Sequence, residues 1–152
     1  EATRLAKISD KGNSFWHRMG DVGYLDKLNR LWFCGRKSQR VRTENRTLFT
    51  IQCEGVFNAH PSVKRSALVG VGKIKNQRPV IIIEPENLND MTSDSAREGL
   101  ISDLLKLGSQ YDHTLKIKDI LVHPEFPVDI RHNAKIFREQ LAKWATSKLP
   151  SI

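Results

Sequence analysis

The sequence lacks most of the signals that assign a function directly. It has only two cysteines, Cys34 and Cys53, with no CxxC pair and no histidine at metal-ligand spacing around them. Two cysteines are a weak disulfide framework for 152 residues, so both read as buried thiols of a reducing compartment. The five histidines are scattered, none paired at i+2 or i+4, which gives no metal-binding pattern. No GxxxxGK(S/T), GxGxxG, HExxH or GxSxG motif occurs, so the sequence shows no self-contained phosphate loop, dinucleotide fingerprint, zinc-protease helix or hydrolase elbow. The longest purely apolar run, Val80-Ile81-Ile82-Ile83, falls far short of the roughly 20 residues a membrane-spanning helix needs. The opening Glu1-Ala2-Thr3-Arg4 has no secretory signature, which sets the expectation of a cytoplasmic protein without a membrane span.

What is present suffices for one folded unit. The 152 residues are 39% hydrophobic and 28% charged, enough to bury a single core. There are 25 basic against 17 acidic residues, a formal net charge of +8. Such an excess suits a nucleic acid, an acidic membrane or a small anionic ligand. Its distribution is uneven. Arg36, Lys37, Arg40, Arg42 and Arg46 form one cluster, Arg131, Lys135, Arg138, Lys143 and Lys148 a second, and the stretch between holds Glu84, Glu86, Asp90, Asp94 and Glu98. No recognition helix, zinc finger or aromatic RNA-binding signature accompanies them, so no nucleic-acid partner is expected. Clustered arginines gather equally well around a nucleotide.

Hydrophobic periodicity predicts the elements. Val22 to Phe33 reads as two short strands around a polar turn at Asn29, and Arg40 to Thr50 as a second, irregular hairpin turning at Asn45, a residue type that tolerates positive φ. Cys53, Val56 and Phe57 mark one face of a short helix over 52–59 that His60-Pro61 ends. The aliphatic runs 63–71 and 78–84 predict two strands joined by a polar loop. Asp94 or Ser95 can cap a helix striped by Ala96, Leu100, Ile101, Leu104 and Leu105. A further strand follows over 117–122, then a proline-marked loop over 123–127. Ile136, Phe137, Leu141, Trp144 and Ala145 trace a last helix, while the first dozen residues have no clear period. The order predicts an α+β fold, a small, mostly antiparallel sheet with covering helices and an N-terminal β-hairpin.

Three segments carry chemistry: Trp16-His17-Arg18-Met19-Gly20-Asp21-Val22-Gly23-Tyr24-Leu25-Asp26; Leu31-Trp32-Phe33-Cys34-Gly35-Arg36; and Arg131-His132-Asn133-Ala134-Lys135-Ile136-Phe137-Arg138. Together they resemble the C-terminal signature motifs of the adenylate-forming superfamily, which includes acyl-CoA synthetases, luciferases and peptide-synthetase adenylation domains. The stretch from Gly35 to Glu54, followed by His60-Pro61-Ser62-Val63, fits that family's spacing without a gap. The strings from Trp16 to Val41 and from Phe126 to Glu139 look most like its β-lactone synthetase branch of bacterial olefin biosynthesis, often labelled fatty acyl-CoA ligases.

The resemblance implies roles residue by residue. Asp21 matches the aspartate that accepts hydrogen bonds from the nucleotide ribose, a task suited to a group with only acceptor lone pairs. On its own it reads as a turn aspartate. Arg36 matches the arginine near the same ribose and otherwise reads as part of a solvated basic face. Lys135 matches the lysine that approaches the carboxylate and α-phosphate during acyl-adenylate formation, where a flexible point charge suits the developing negative charge; without the resemblance it is a surface lysine. Ser38 takes the place of the hinge residue, usually Asp or Lys, and Arg42 the place of a lysine that faces the active site in a second conformation. Asn45 and Ala134 replace family glycines, and a side chain at Asn45 could obstruct a pantetheine arm.

The resemblance thus implies residues 1–36 as the end of an N-terminal nucleotide-binding domain and 37–152 as the C-terminal lid domain. It implies ATP and Mg2+, held mainly by an N-terminal domain outside this chain, and a fatty, β-hydroxy acid substrate closed to a β-lactone. The implied partners are that N-terminal domain and other olefin-biosynthesis enzymes. The alternatives are a fatty acyl-CoA synthetase lid and, from another class, a basic nucleic-acid-binding or non-catalytic interaction module.

Overall fold

Strand β8 (Arg78–Pro85) lies at the centre of a three-stranded sheet in the computed structural model, which describes residues 6–9, 14–131 and 135–150. It pairs antiparallel with β7 (Val63–Val71) and parallel with β9 (Asp119–Val122). Val80 to Ile83 are fully buried because both faces of the sheet are covered, which is why this strand reads as a continuous apolar run. Alternation sorts the side chains. Leu68, Ile81 and Ile83 face one core with Cys53, Phe57, Leu100 and Leu104, from helices α1 (Thr50–Asn58) and α2 (Asp94–Gly108). Ala67, Val69, Val80 and Ile82 face a second core with Leu141 and Ala145 of helix α3 (Arg138–Lys148). The layers are therefore helices, sheet, helix, with β8, α2 and β9 forming one parallel crossover unit.

Four further antiparallel pairs surround this frame. Strand β1 (Lys7–Ser9) pairs with β2 (Phe15–His17), and β3 (Asp21–Leu25) with β4 (Leu31–Arg36). A 3-10 turn at Lys37–Gln39 leads to β5 (Val41–Arg42), which pairs with β6 (Thr47–Leu48), and near the end β10 (Val128–Asp129) pairs with β11 (Lys135–Ile136). A second 3-10 turn, Leu88–Met91, precedes α2.

The predicted α+β architecture holds, with these differences. The first residues contribute a strand, β1, although they show no sequence period: a three-residue strand is too short to display one. Asn29 adopts φ 57°, as expected of the turn residue, but the turn is fastened by Asp26, which accepts from the Leu28 and Arg30 amides, the Arg30 guanidinium and the Trp32 indole. The Trp32 and Arg30 hydrogen bonds lower its carboxyl to about 2. Asn45 lies in the β5–β6 loop without positive φ, because the Thr43 amide and hydroxyl close that loop on the Arg46 carbonyl. Helix α2 is capped by Ser93, whose hydroxyl accepts from the Ala96 amide at 3.1 Å, so Asp94 is already in the first turn. Ile117 is buried ahead of β9 rather than within it, Ile136 belongs to β11, and Phe137 is the N-cap of α3.

Both cysteines are free and buried, and burial together with the neighbouring Glu54 pushes the Cys53 thiol up to about 12, leaving it protonated and inert. Glu84 on β8 has a side chain only 2% exposed. It accepts from Arg65 Nε at 2.7 Å, from Lys64 Nζ at 2.8 Å and from the Phe126 amide at 2.7 Å. Burial opposes its charge, but the Arg65, Lys64 and Phe126 bonds outweigh that and hold its pKa below the ordinary value. A carboxyl depressed in the fold stabilises it above the unfolded pKa, and that contribution disappears as pH falls through the folded one. Glu84→Ala should therefore lower stability at neutral pH by about 3 kcal/mol, measured by urea unfolding, and the gap to wild type should narrow on acidification; a gap independent of pH would contradict this role.

Candidate functional site

The chain reversal at β3–β4 brings Asp21 directly opposite Arg36, and their side chains form an ion pair at 3.1 Å. Arg36 Nη1 also donates to the Met19 carbonyl at 2.7 Å, and the Lys37 amide donates to the Gly20 carbonyl at 2.8 Å. These contacts fasten the 3-10 turn bearing Ser38 onto the loop before β3. Gly35 permits the arrangement. It has φ 117°, and a Cβ there would stand 2.3 Å from Thr50 Oγ1, so only glycine lets β4 lie against the start of α1.

Lys135 arrives from the other end of the chain. It is exposed on β11, opposite Asp129 of β10. A depression of about 650 Å³ is lined by Met19, Gly20, Arg36, Lys37, Ser38, Gln39 and Lys135. A neighbouring groove of about 470 Å³ shares Ser38, Gln39 and Lys135 and continues along Leu68, Gly70, Gln77 and Phe137 to Arg138. Arg36, Ser38 and Lys135 thus meet at one concavity, with Asp21 tied to it through Arg36. Arg42 lines neither hollow: it sits on β5, where its amide donates to Gln77 Oε1 at 3.0 Å and its carbonyl accepts from the Gln77 amide at 2.9 Å. Ala134, with His132 and Asn133 of the same segment, lies outside the described residues.

Chemically, the depression offers three cations, Arg36, Lys37 and Lys135, in its lining. Such a lining suits phosphate oxygens. Its wall has no carboxylate, so it does not fit Mg2+, which is held through carboxylate or phosphate oxygens. The Asp21 carboxylate beside Arg36 adds an acceptor for hydroxyl donors.

Two residues named in the sequence reading were given no role there. Glu54 on α1 and Arg138 at the start of α3 form a bidentate ion pair, 84 positions apart in sequence. Burial pushes the Glu54 carboxyl up, against the opposing pull of Arg138 and of the Leu68 amide. The available signal was a glutamate beside Cys53 and three residues before Phe57, on the apolar side of a short helix.

No protein-family model matches the chain. An olefin β-lactone synthetase of Xanthomonas campestris pv. campestris is 50% identical over 151 residues, covering 97% of this chain and 27% of the relative. An olefin β-lactone synthetase of Stenotrophomonas maltophilia is 46% identical over 153 residues, covering 98% of the chain and again 27% of the relative. In fold, the chain matches an anthranilate CoA ligase, AuaEII, solved with anthranoyl-AMP, at a TM-score of 0.72 and 19% identity, over 90% of this chain and 25% of that one. Over nearly its whole length the chain is thus similar to olefin β-lactone synthetases, and it shares its fold with this ligase. It spans about a quarter of the length of the curated relatives it matches and corresponds to their C-terminal portion. The hollow joining the β4–β5 turn to β11 is the natural place to look for function, because it gathers segments from both ends of the chain.

Gly35→Ala should strain the backbone and push against Thr50, costing roughly 1–3 kcal/mol in urea unfolding. A change within about 0.5 kcal/mol, typical of an unremarkable surface substitution, would show that β4 tolerates a side chain at this point.

Proposed function

We infer that this chain is the lid of an ATP-dependent adenylate-forming ligase that activates a β-hydroxy fatty acid as its acyl-AMP, releasing pyrophosphate, and closes it to a β-lactone. The observation that carries this reading is the convergence of Arg36, Ser38 and Lys135 on one cationic depression, in a chain 50% identical to an olefin β-lactone synthetase. Asp21 accepts from the ribose hydroxyls, and Arg36 holds Asp21 in place from the adjoining strand. Lys135 extends its ammonium to the oxygens of the reacting carboxylate and α-phosphate, where negative charge develops as pyrophosphate departs. The substrate's own β-hydroxyl then attacks the activated carbonyl carbon, forming the four-membered ring and expelling AMP.

Residues 1–36 close an N-terminal nucleotide-binding domain and 37–152 form the lid. Phe15, Trp16, Leu25, Leu31 and Phe33 are exposed on the β1–β4 hairpins, an apolar surface of the kind that packs against a larger domain. That domain would hold Mg2+ and most of the ATP, and the lid alone would be inactive. Ser38, in the short turn between β4 and β5, is the hinge, since a hinge need only absorb φ/ψ change. Rotation there would replace Lys135 at the active site by the face bearing Arg42. The enzyme would work in the cytoplasm beside other enzymes of olefin biosynthesis.

In the intact enzyme, Lys135→Ala should cut pyrophosphate release from ATP and a β-hydroxy fatty acid by about a hundredfold or more; undiminished release would remove Lys135 from the mechanism. Product analysis by mass spectrometry should find lactone whether or not CoA is added. A CoA-dependent thioester would make the enzyme an acyl-CoA synthetase instead.

A further inference from the structure

Lys135 is carried on a two-residue strand whose partner, β10, is equally short. A ladder of that length cannot by itself hold a side chain in a fixed place. The next two residues supply the anchorage. The Phe137 amide donates to the Pro127 carbonyl at 2.9 Å, and the Arg138 guanidinium reaches both carboxylate oxygens of Glu54, the Nη2–Oε2 contact being 2.9 Å. The two side chains are only 16% and 8% exposed, and Glu54 Oε1 also accepts from the Leu68 amide at 2.7 Å. A bidentate pair sets orientation as well as distance. Helix α1 therefore touches both halves of the candidate site. Thr50 bears on Gly35 beside Arg36, and one turn later Glu54 holds Arg138, three residues beyond Lys135.

We propose that Glu54 is a positioning residue for Lys135, acting through Arg138 to fix where β11 passes into α3 and so how the lysine reaches the reacting atoms. This rests on the adenylation role given to Lys135 above. Loss of the Glu54 charge frees the guanidinium, releases the start of α3 and lets the lysine wander, without touching the substrate directly.

The test compares half-reactions in the intact enzyme. Glu54→Gln lowers kcat for pyrophosphate release by between about tenfold and a hundredfold, the size of effect that small misplacements produce, and leaves KM for ATP essentially unchanged. Conversion of supplied acyl-AMP to lactone, which has no need of Lys135, proceeds at the wild-type rate. In a Lys135→Ala background the same substitution changes pyrophosphate release by less than about twofold, because the two residues act as a unit. Arg138→Lys keeps the charge but loses the fork, reproduces the loss, and carries the same comparison if Glu54→Gln does not fold. Equal losses in both backgrounds, or equal losses in both half-reactions with a lowered Tm, would overturn the positioning role while leaving Lys135 in the mechanism. Undiminished release from Lys135→Ala alone would overturn both.

Discussion

Strand β8 is buried on both faces, and the rest of the molecule is arranged to make that possible. A strand with Val80, Ile81, Ile82 and Ile83 in succession has no face to offer water, so helices must cover both sides. Helices α1 and α2 cover one. Covering the other requires the chain, after β9, to cross the sheet and lay α3 against it. Lys135 lies in sequence between β9 and α3, so the need to seal the second face is what carries it to the edge where the β4–β5 turn lies.

The described residues between β9 and α3 carry only the short β10–β11 pair and are fixed by polar contacts with rigid elements. Glu84 of β8 takes the Phe126 amide, and Glu54 of α1 takes the Arg138 guanidinium. Both carboxylates are almost fully buried, and each is satisfied several times over, which is the condition under which buried charge is tolerated. They differ in balance. Multiple donors hold the Glu84 carboxyl below its ordinary value, whereas burial outweighs the partners of Glu54 and shifts its carboxyl upward within the ion pair. The Asp21–Arg36 pair is the opposite kind of interaction: solvated and held mainly by strand register, it is available to a ligand in a way the buried pairs are not.

Much of the fold was legible because its signals are local. The apolar runs of β7 and β8 and the stripes of α2 and α3 express burial that repeats at a fixed period. The mixed character of the sheet was less so: nothing in 117–122 distinguishes a parallel strand from an antiparallel one, and the choice falls to the crossover through α2. Asn29 could be read as a turn residue because its backbone needs positive φ; Asn45 also falls in its turn, but the Thr43 hydrogen bonds close that loop without positive φ. Asp21, Arg36, Ser38 and Lys135 were legible only through the resemblance of their motifs, since each alone is an ordinary surface residue.

The sequence by itself determined the secondary structure of the core, the buried state of both cysteines, and the family to which the motifs point. It could do so because periodicity and motif spacing act over a few residues to a few tens. Only the tertiary structure decided that Arg36 and Lys135 share one depression and that Glu54 meets Arg138. Those pairings join positions about a hundred residues or 84 residues apart, and their geometry depends on how three layers pack around one strand, which no local pattern encodes.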